Sequence, residues 1–337
     1  MVKRTSSAGT NNCKNIAITI GDVGGVGPEI TVKSIYRLTQ DNSLIDTNLF
    51  IIGNCSIIEK AVEIVNLPIK VKKINEFHEC KNSFINVYEI PSPDKFSFNK
   101  TSKENGLFAF NSILKAIEFA NKGKIKAIVT SPISKKGLKL AGIDFPGHTE
   151  ILAKYTDTKD FRMLFVSKNF NVILHTIHIP LKEVPQKLSY NSLKTTINLG
   201  INFLKKFLKI EKPLIYVAGL NPHAGEDGLI GDEEKKVISP LISSFKKKGV
   251  NIHGPFPPDT IFFKAIYDKP DLIVALYHDQ GLIPIKILDF YGAINVTCGI
   301  PFLRTSPDHG TAFDIAWKGI ANPESMLNAI KFAIKYS

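Results

Sequence analysis

Past its first fifteen residues this chain alternates short apolar runs with stretches of helical period, and that alternation limits its fold more than any other feature. Runs at 15–21, 48–53, 126–131, 170–176, 213–220 and 271–278 read as strands. Helical periodicity covers 28–36, 55–65, 106–121, 190–208 and 233–247. Uniformly apolar strands with helices between them predict a mixed, largely parallel α/β protein. A length of 337 residues, set against a prior of roughly 100 to 200 residues per domain, points to two lobes.

Composition removes several alternatives. With 44% hydrophobic and 22% charged residues the chain can bury a substantial core. No apolar run reaches the roughly 18 residues that span a bilayer, and the opening MVKRTSSAGTNNCKN lacks the apolar centre of a secretory signal. A cytoplasmic protein is expected. The net charge of +12 is spread over scattered lysines, not gathered on an aromatic-rich face, so anionic small molecules are expected as partners and nucleic acid is not. Cys13, Cys55, Cys80 and Cys298 form no CxxC pair, which predicts reduced, packed thiols.

The chemistry is expected where strands stop, because ligands of open α/β sheets collect beyond the carboxyl ends of strands. His178, His223 and His278 each follow an apolar run, and the last stands in YHDQG beside Asp279 and Gln280. Three imidazoles can hold a divalent ion and leave positions open for substrate; separate hydrogen-bonded histidines are the alternative. Asp279 and Asp259 could orient such ligands or serve as turn and cap residues. The glycine-rich ITIGDVGGVGPEI at 18–30 does not fit GxGxxG, and Glu29 at the helix start opposes a phosphate there. Loops 130–142 and 145–150 carry hydroxyls, lysines, His148 and Thr149 that could hold a phosphate or simply cap turns. The acids at 232–234 read as helix-dipole partners. Lys286, Asn295 and Arg304 follow His278 at short intervals, and a converging lysine and arginine would suit a phosphorylated substrate.

Together GDxxGxGPE, TSPISK, GHTE, GLNPHAGE, YHDQGL and RTSPDHGTAFD, in this order from about residue 15 onward, resemble the 4-hydroxythreonine-4-phosphate dehydrogenase family of vitamin B6 biosynthesis. The resemblance implies two α/β/α lobes around a central cleft, as in isocitrate and isopropylmalate dehydrogenases. The lobes would be 1–132 with 303–337, and 133–302 carrying metal ligands and dimer contacts. It further implies a homodimer whose active site lies at the subunit interface, NAD or NADP as cofactor, and one divalent metal per site, Zn²⁺, Mg²⁺ or Co²⁺. Carried over residue by residue, the metal ligands fall on His178, His223 and His278, and the substrate contacts on His148, Thr149, Lys286, Asn295 and Arg304. Lys286, Asp279 and Asp259 are the candidate catalytic groups, and no cofactor-binding residues are assigned. The implied reaction is oxidation and decarboxylation of 4-phosphooxy-L-threonine to 3-amino-2-oxopropyl phosphate. A sister activity on D-threonate or D-erythronate 4-phosphate, or on an aromatic dihydrodiol carboxylate, is the alternative. Two departures lie beside the implied site: Val23-Gly24 where the family usually has Pro-Ala, and Asp227-Gly228-Leu229 where it commonly has GGH.

Overall fold

The computed structural model describes residues 13–337, so most of the polar arm read at 1–15 lies outside the described residues. Among the described residues twelve strands form one sheet. They are β1 (Lys14–Thr19), β2 (Thr47–Gly53), β3 (Lys70–Ile74), β4 (Phe84–Glu89), β5 (Ala127–Thr130), β6 (Arg162–Val166), β7 (Asn171–Leu174), β8 (Ile215–Ala218), β9 (Ile252–Phe256), β10 (Leu272–Ala275), β11 (Ile294–Cys298) and β12 (Leu303–Pro307). Their order is β3-β4-β2-β1-β5-β12-β11-β6-β7-β10-β8-β9.

Two parallel sets meet within this sheet. The first runs from β3 to β12 and the second comprises β7, β10, β8 and β9. Between them β11 pairs antiparallel with both β12 and β6, and β6 antiparallel with β7. The two sets therefore run in opposite senses. The apolar runs read from the sequence all became strands, because they are wholly or almost wholly buried under helices on both faces.

The edges look different, and for a reason. β3 reads KVKKI, and its lysines keep an open ladder from pairing with another chain. β9 at the opposite edge reads IHGPF, with a proline that a central strand would not tolerate. Helices start on side-chain caps: Ser102 accepts from the amide of Asn105, Asn54 from Ile57, Ser134 from Gly137 and Ser189 from Ser192. No helix among the described residues is long and apolar enough to cross a membrane.

Candidate active site

Strands β7, β10 and β8 are adjacent and parallel, so their carboxyl ends lie side by side. His178 follows β7, His223 follows β8, and His278 opens the helix His278–Leu288 that follows β10. Gln280 answers why an amide belongs there. It accepts a hydrogen bond from the Leu276 amide at 2.6 Å and donates to the Gly219 carbonyl at 2.7 Å, pinning the end of β10 to the end of β8.

The imidazoles of His178 and His278 have ring centroids 5.5 Å apart. Two rings bound tetrahedrally to one divalent ion at about 2.1 Å would have centroids about 5 Å apart, so this pair fits a shared ion. His278 Nδ1 is 2.7 Å from Asp279 Oδ1, which leaves Nε2 as the free nitrogen. Burial first, then Lys135 and His278, holds His178 below its ordinary pKa and so in the neutral form a metal requires. His223 is exposed in the loop Pro222–Gly228, where His223, Ala224, Glu226 and Asp227 all take left-handed backbone. Among the described residues no three His, Cys, Asp or Glu side chains form a group that could hold a metal. Two expected ligands thus stand together, and the third occupies the neighbouring strand end. Glu234, expected to serve the helix dipole, instead holds that loop: its carboxylate accepts from the amides of Leu220 and Asn221 at 2.7 and 2.8 Å. Asp259 is exposed beyond edge strand β9.

A cavity of about 330 Å³ brings His148, Thr149, His178, Asn295 and Arg304 onto one wall system. Arg304 lies on β12, only 3% exposed, and every partner of its guanidinium is neutral. It donates to Thr130 Oγ1 at 2.6 and 3.2 Å, to Thr297 Oγ1 at 3.1 Å and to Asn295 Oδ1 at 3.5 Å. Burial pulls its pKa down to about 9, and Glu150 opposes that shift without closing an ion pair. A buried guanidinium held by hydroxyls and an amide still lacks the anion that would compensate its desolvation. His148 opens the helix His148–Tyr155, and its Nε2 is buried without a partner among the described residues. Burial, then the charge of Arg304, holds His148 well below its usual pKa, so it faces the cavity as a neutral imidazole.

Lys286 does not line this cavity. Its ammonium sits 2.6 Å from Asp308 Oδ2 and donates to the Asp308 carbonyl at 3.0 Å. Burial raises the Asp308 carboxyl above the ordinary range, while Lys286 pulls it back down. Asp308 and His309 line both the 330 Å³ cavity and a more apolar one of about 240 Å³ that also includes Lys286, Phe290 and Tyr291. No role for Asp308, His309 or Glu150 follows from the sequence, whereas Lys135 belongs to the loop 130–142 whose lysines are phosphate candidates there. The dense polar loop 304–316 was the signal available for the first two.

The glycine-rich loop is filled by protein. A Cβ at Gly24 would stand 2.2 Å from the Lys100 carbonyl, and Gly21 takes a left-handed φ of +74° against Pro132. Glu29 turns inward and accepts from the Gly319 amide at 3.0 Å.

A sequence model of the family described as "Pyridoxal phosphate biosynthetic protein PdxA" matches residues 46–333. The chain belongs to this family. It is 40% identical over 327 residues to the D-threonate 4-phosphate dehydrogenase of Salmonella typhimurium, covering 96% of this chain and 98% of that one. It is 39% identical over 330 residues to the 4-hydroxythreonine-4-phosphate dehydrogenase of Desulforapulum autotrophicum, covering 96% of each. The crystal structure of 4-hydroxythreonine-4-phosphate dehydrogenase from Klebsiella pneumoniae superposes with a TM-score of 0.86 at 39% identity, over 95% of this chain and 98% of that one. By their names, the common ground of these relatives is dehydrogenation of a phosphorylated hydroxy acid. A nicotinamide cofactor is what a dehydrogenase family of this kind suggests.

Proposed function

We propose that this protein is an NAD(P)-dependent dehydrogenase that oxidises and decarboxylates 4-phosphooxy-L-threonine to 3-amino-2-oxopropyl phosphate in vitamin B6 synthesis. The observation that carries the reading is Arg304, a buried cation with neutral partners, facing a cavity beside a neutral His148 with a free nitrogen. A phosphate there would complete what the guanidinium lacks, with Thr149 and Asn295 as further donors. Phosphate binding remote from the reacting carbon would position the secondary alcohol toward the histidine end of the cavity.

The nicotinamide end of the dinucleotide is assigned to the 240 Å³ cavity, because its apolar wall of Phe290, Tyr291 and Ile315 suits a flat ring and it meets the substrate cavity at Asp308 and His309. Lys286 is kept as the candidate for the hydroxyl proton: it pairs with Asp308, which lines the substrate cavity, and itself lines the adjoining one. Asp279 orients His278, and Asp259 is kept as a candidate from across the interface. A divalent ion, Zn²⁺, Mg²⁺ or Co²⁺, held by His178, His278 and His223 would supply Lewis acidity at the alcohol oxygen and at the ketone that follows.

The two lobes are placed at 1–132 with 303–337 and at 133–302. The dimer reading rests on an exposed apolar face beside the site: Ile283, Ile287, Leu288, Phe290 and Tyr291 at one helix, and Phe263 and Tyr267 on Ile261–Asp268. A second copy covering it would close the histidine end and account for the surface.

A second reading, D-threonate 4-phosphate, is kept because relatives of equal identity bear that name. The substrates differ at C2, an ammonium against a hydroxyl, and Glu150 is the cavity carboxylate not engaged by Lys286. The test is NADH formation from 4-phosphooxy-L-threonine, D-threonate 4-phosphate and D-erythronate 4-phosphate, before and after chelation and Co²⁺ addition. Turnover is expected with the first and loss on chelation. Turnover only with a D-threonate-type ester would replace the substrate, and none with any ester would sink the reading.

A further inference from the structure

Behind the substrate cavity lies a second one of about 330 Å³ that the reaction does not use. Met163 and Ile177 line both and form the partition between them. Lys159, Arg162 and Lys187 line it with His175 and Ser192, and among the described residues no carboxylate does.

Arg162 is built into place. Its Nε donates to Thr196 Oγ1 at 2.9 Å, and Nη1 to the Phe161 carbonyl at 2.7 Å. Thr196 Oγ1 is 2.9 Å from Nδ1 of His175, a side chain only 5% exposed, whose Nε2 is 3.3 Å from the Lys187 carbonyl. A carbonyl can only accept, so Nε2 carries the proton; a neutral imidazole then accepts at Nδ1 from the Thr196 hydroxyl, which in turn accepts from Arg162. The chain Arg162, Thr196, His175, Lys187 carbonyl runs in one sense, with the Thr196 hydroxyl nearer His175 Nδ1 at 2.9 Å than the Ser192 carbonyl at 3.2 Å. It fixes the guanidinium through Nε and Nη1 and leaves Nη2 for the cavity. Asp160 influences Arg162 without forming an ion pair.

We propose that this cavity is a second anion site, separate from Arg304, that takes a small phosphate monoester between Arg162, Lys159 and Lys187. An arginine fixed on one edge offers its other donors at set angles, two lysines supply charge from the rim, and Ser192 can donate a hydroxyl. A monoester's charge of about two and its tetrahedral oxygens match that set.

Glycerol 3-phosphate is the probe, titrated calorimetrically into the full chain at fixed ionic strength. Two molecules are expected per chain. The double variant K159Q/K187Q changes only exposed side chains and should keep one site, the other weakened roughly tenfold or more. R304Q should also keep one, and the three substitutions together none. R162Q, checked for folding by circular dichroism, should reproduce the double variant. The proposal is overturned if K159Q/K187Q keeps both sites, or if wild type binds one molecule that R304Q abolishes. Failure of R304Q to remove any binding would instead count against the substrate reading above.

Discussion

Arg304 shows how one residue can define a site. A guanidinium taken out of water without a carboxylate is held at a loss unless an anion arrives, and the hydroxyls of Thr130 and Thr297 only aim it. Arg304→Gln should raise KM for the phosphorylated substrate by roughly ten- to a hundredfold, read from initial rates, because one or two charge-assisted bonds are lost. If KM is unchanged the phosphate lies elsewhere. A second consequence concerns pH. His175 is held down to about 4 from 6.5, mainly by burial and then by Arg162. The unfolded chain therefore takes up the proton first, so this contribution is intact above 6.5 and lost as pH falls toward 4. The loss is on the order of 3 kcal/mol, and His148 acts in the same direction. Urea midpoints measured across that interval should decline; a flat profile would contradict the buried neutral imidazole.

Among elements, the junction of β10 and β8 matters most for the site. Gln280 satisfies a buried amide on one strand end and a buried carbonyl on the other. Gln280→Leu leaves both unpaired and should cost about 2–5 kcal/mol in urea unfolding. His278 opens the same helix, so affinity for the divalent ion proposed above should fall with it; a variant of wild-type stability would mean the junction is held by other contacts. The strands at this junction were legible in the sequence because both faces are buried and the runs are purely apolar. Others were not. β12 reads LRTSP, since its Arg304 points into a cavity, and β3 reads KVKKI, since edge protection replaces the apolar pattern. The helices 148–155, 261–268 and 278–288 were missed because polar site residues or an unpartnered apolar face disturb their period. Of the site, the histidines at strand ends were readable as positions. The Lys286–Asp308 pair was not, because the two residues stand 22 positions apart with two strands between them and meet only in the fold.

At the scale of the molecule, exposed apolar side chains continue from His278–Leu288 into the residues after it, where Phe290 and Tyr291 line the 240 Å³ cavity. If the proposed dimer forms on this face, Ile287→Glu should shift sedimentation toward monomer and lower turnover together; sedimentation unmoved by it would count against an interface here. The sheet has its own implication. Its ladder runs unbroken from β3 to β9, through β11 and β6 where the strand sense reverses. Neither half can come apart there without baring a raw row of amides and carbonyls on the other. Opening motions must then be accommodated by twisting this common backbone plane, and the two halves share one fate on melting.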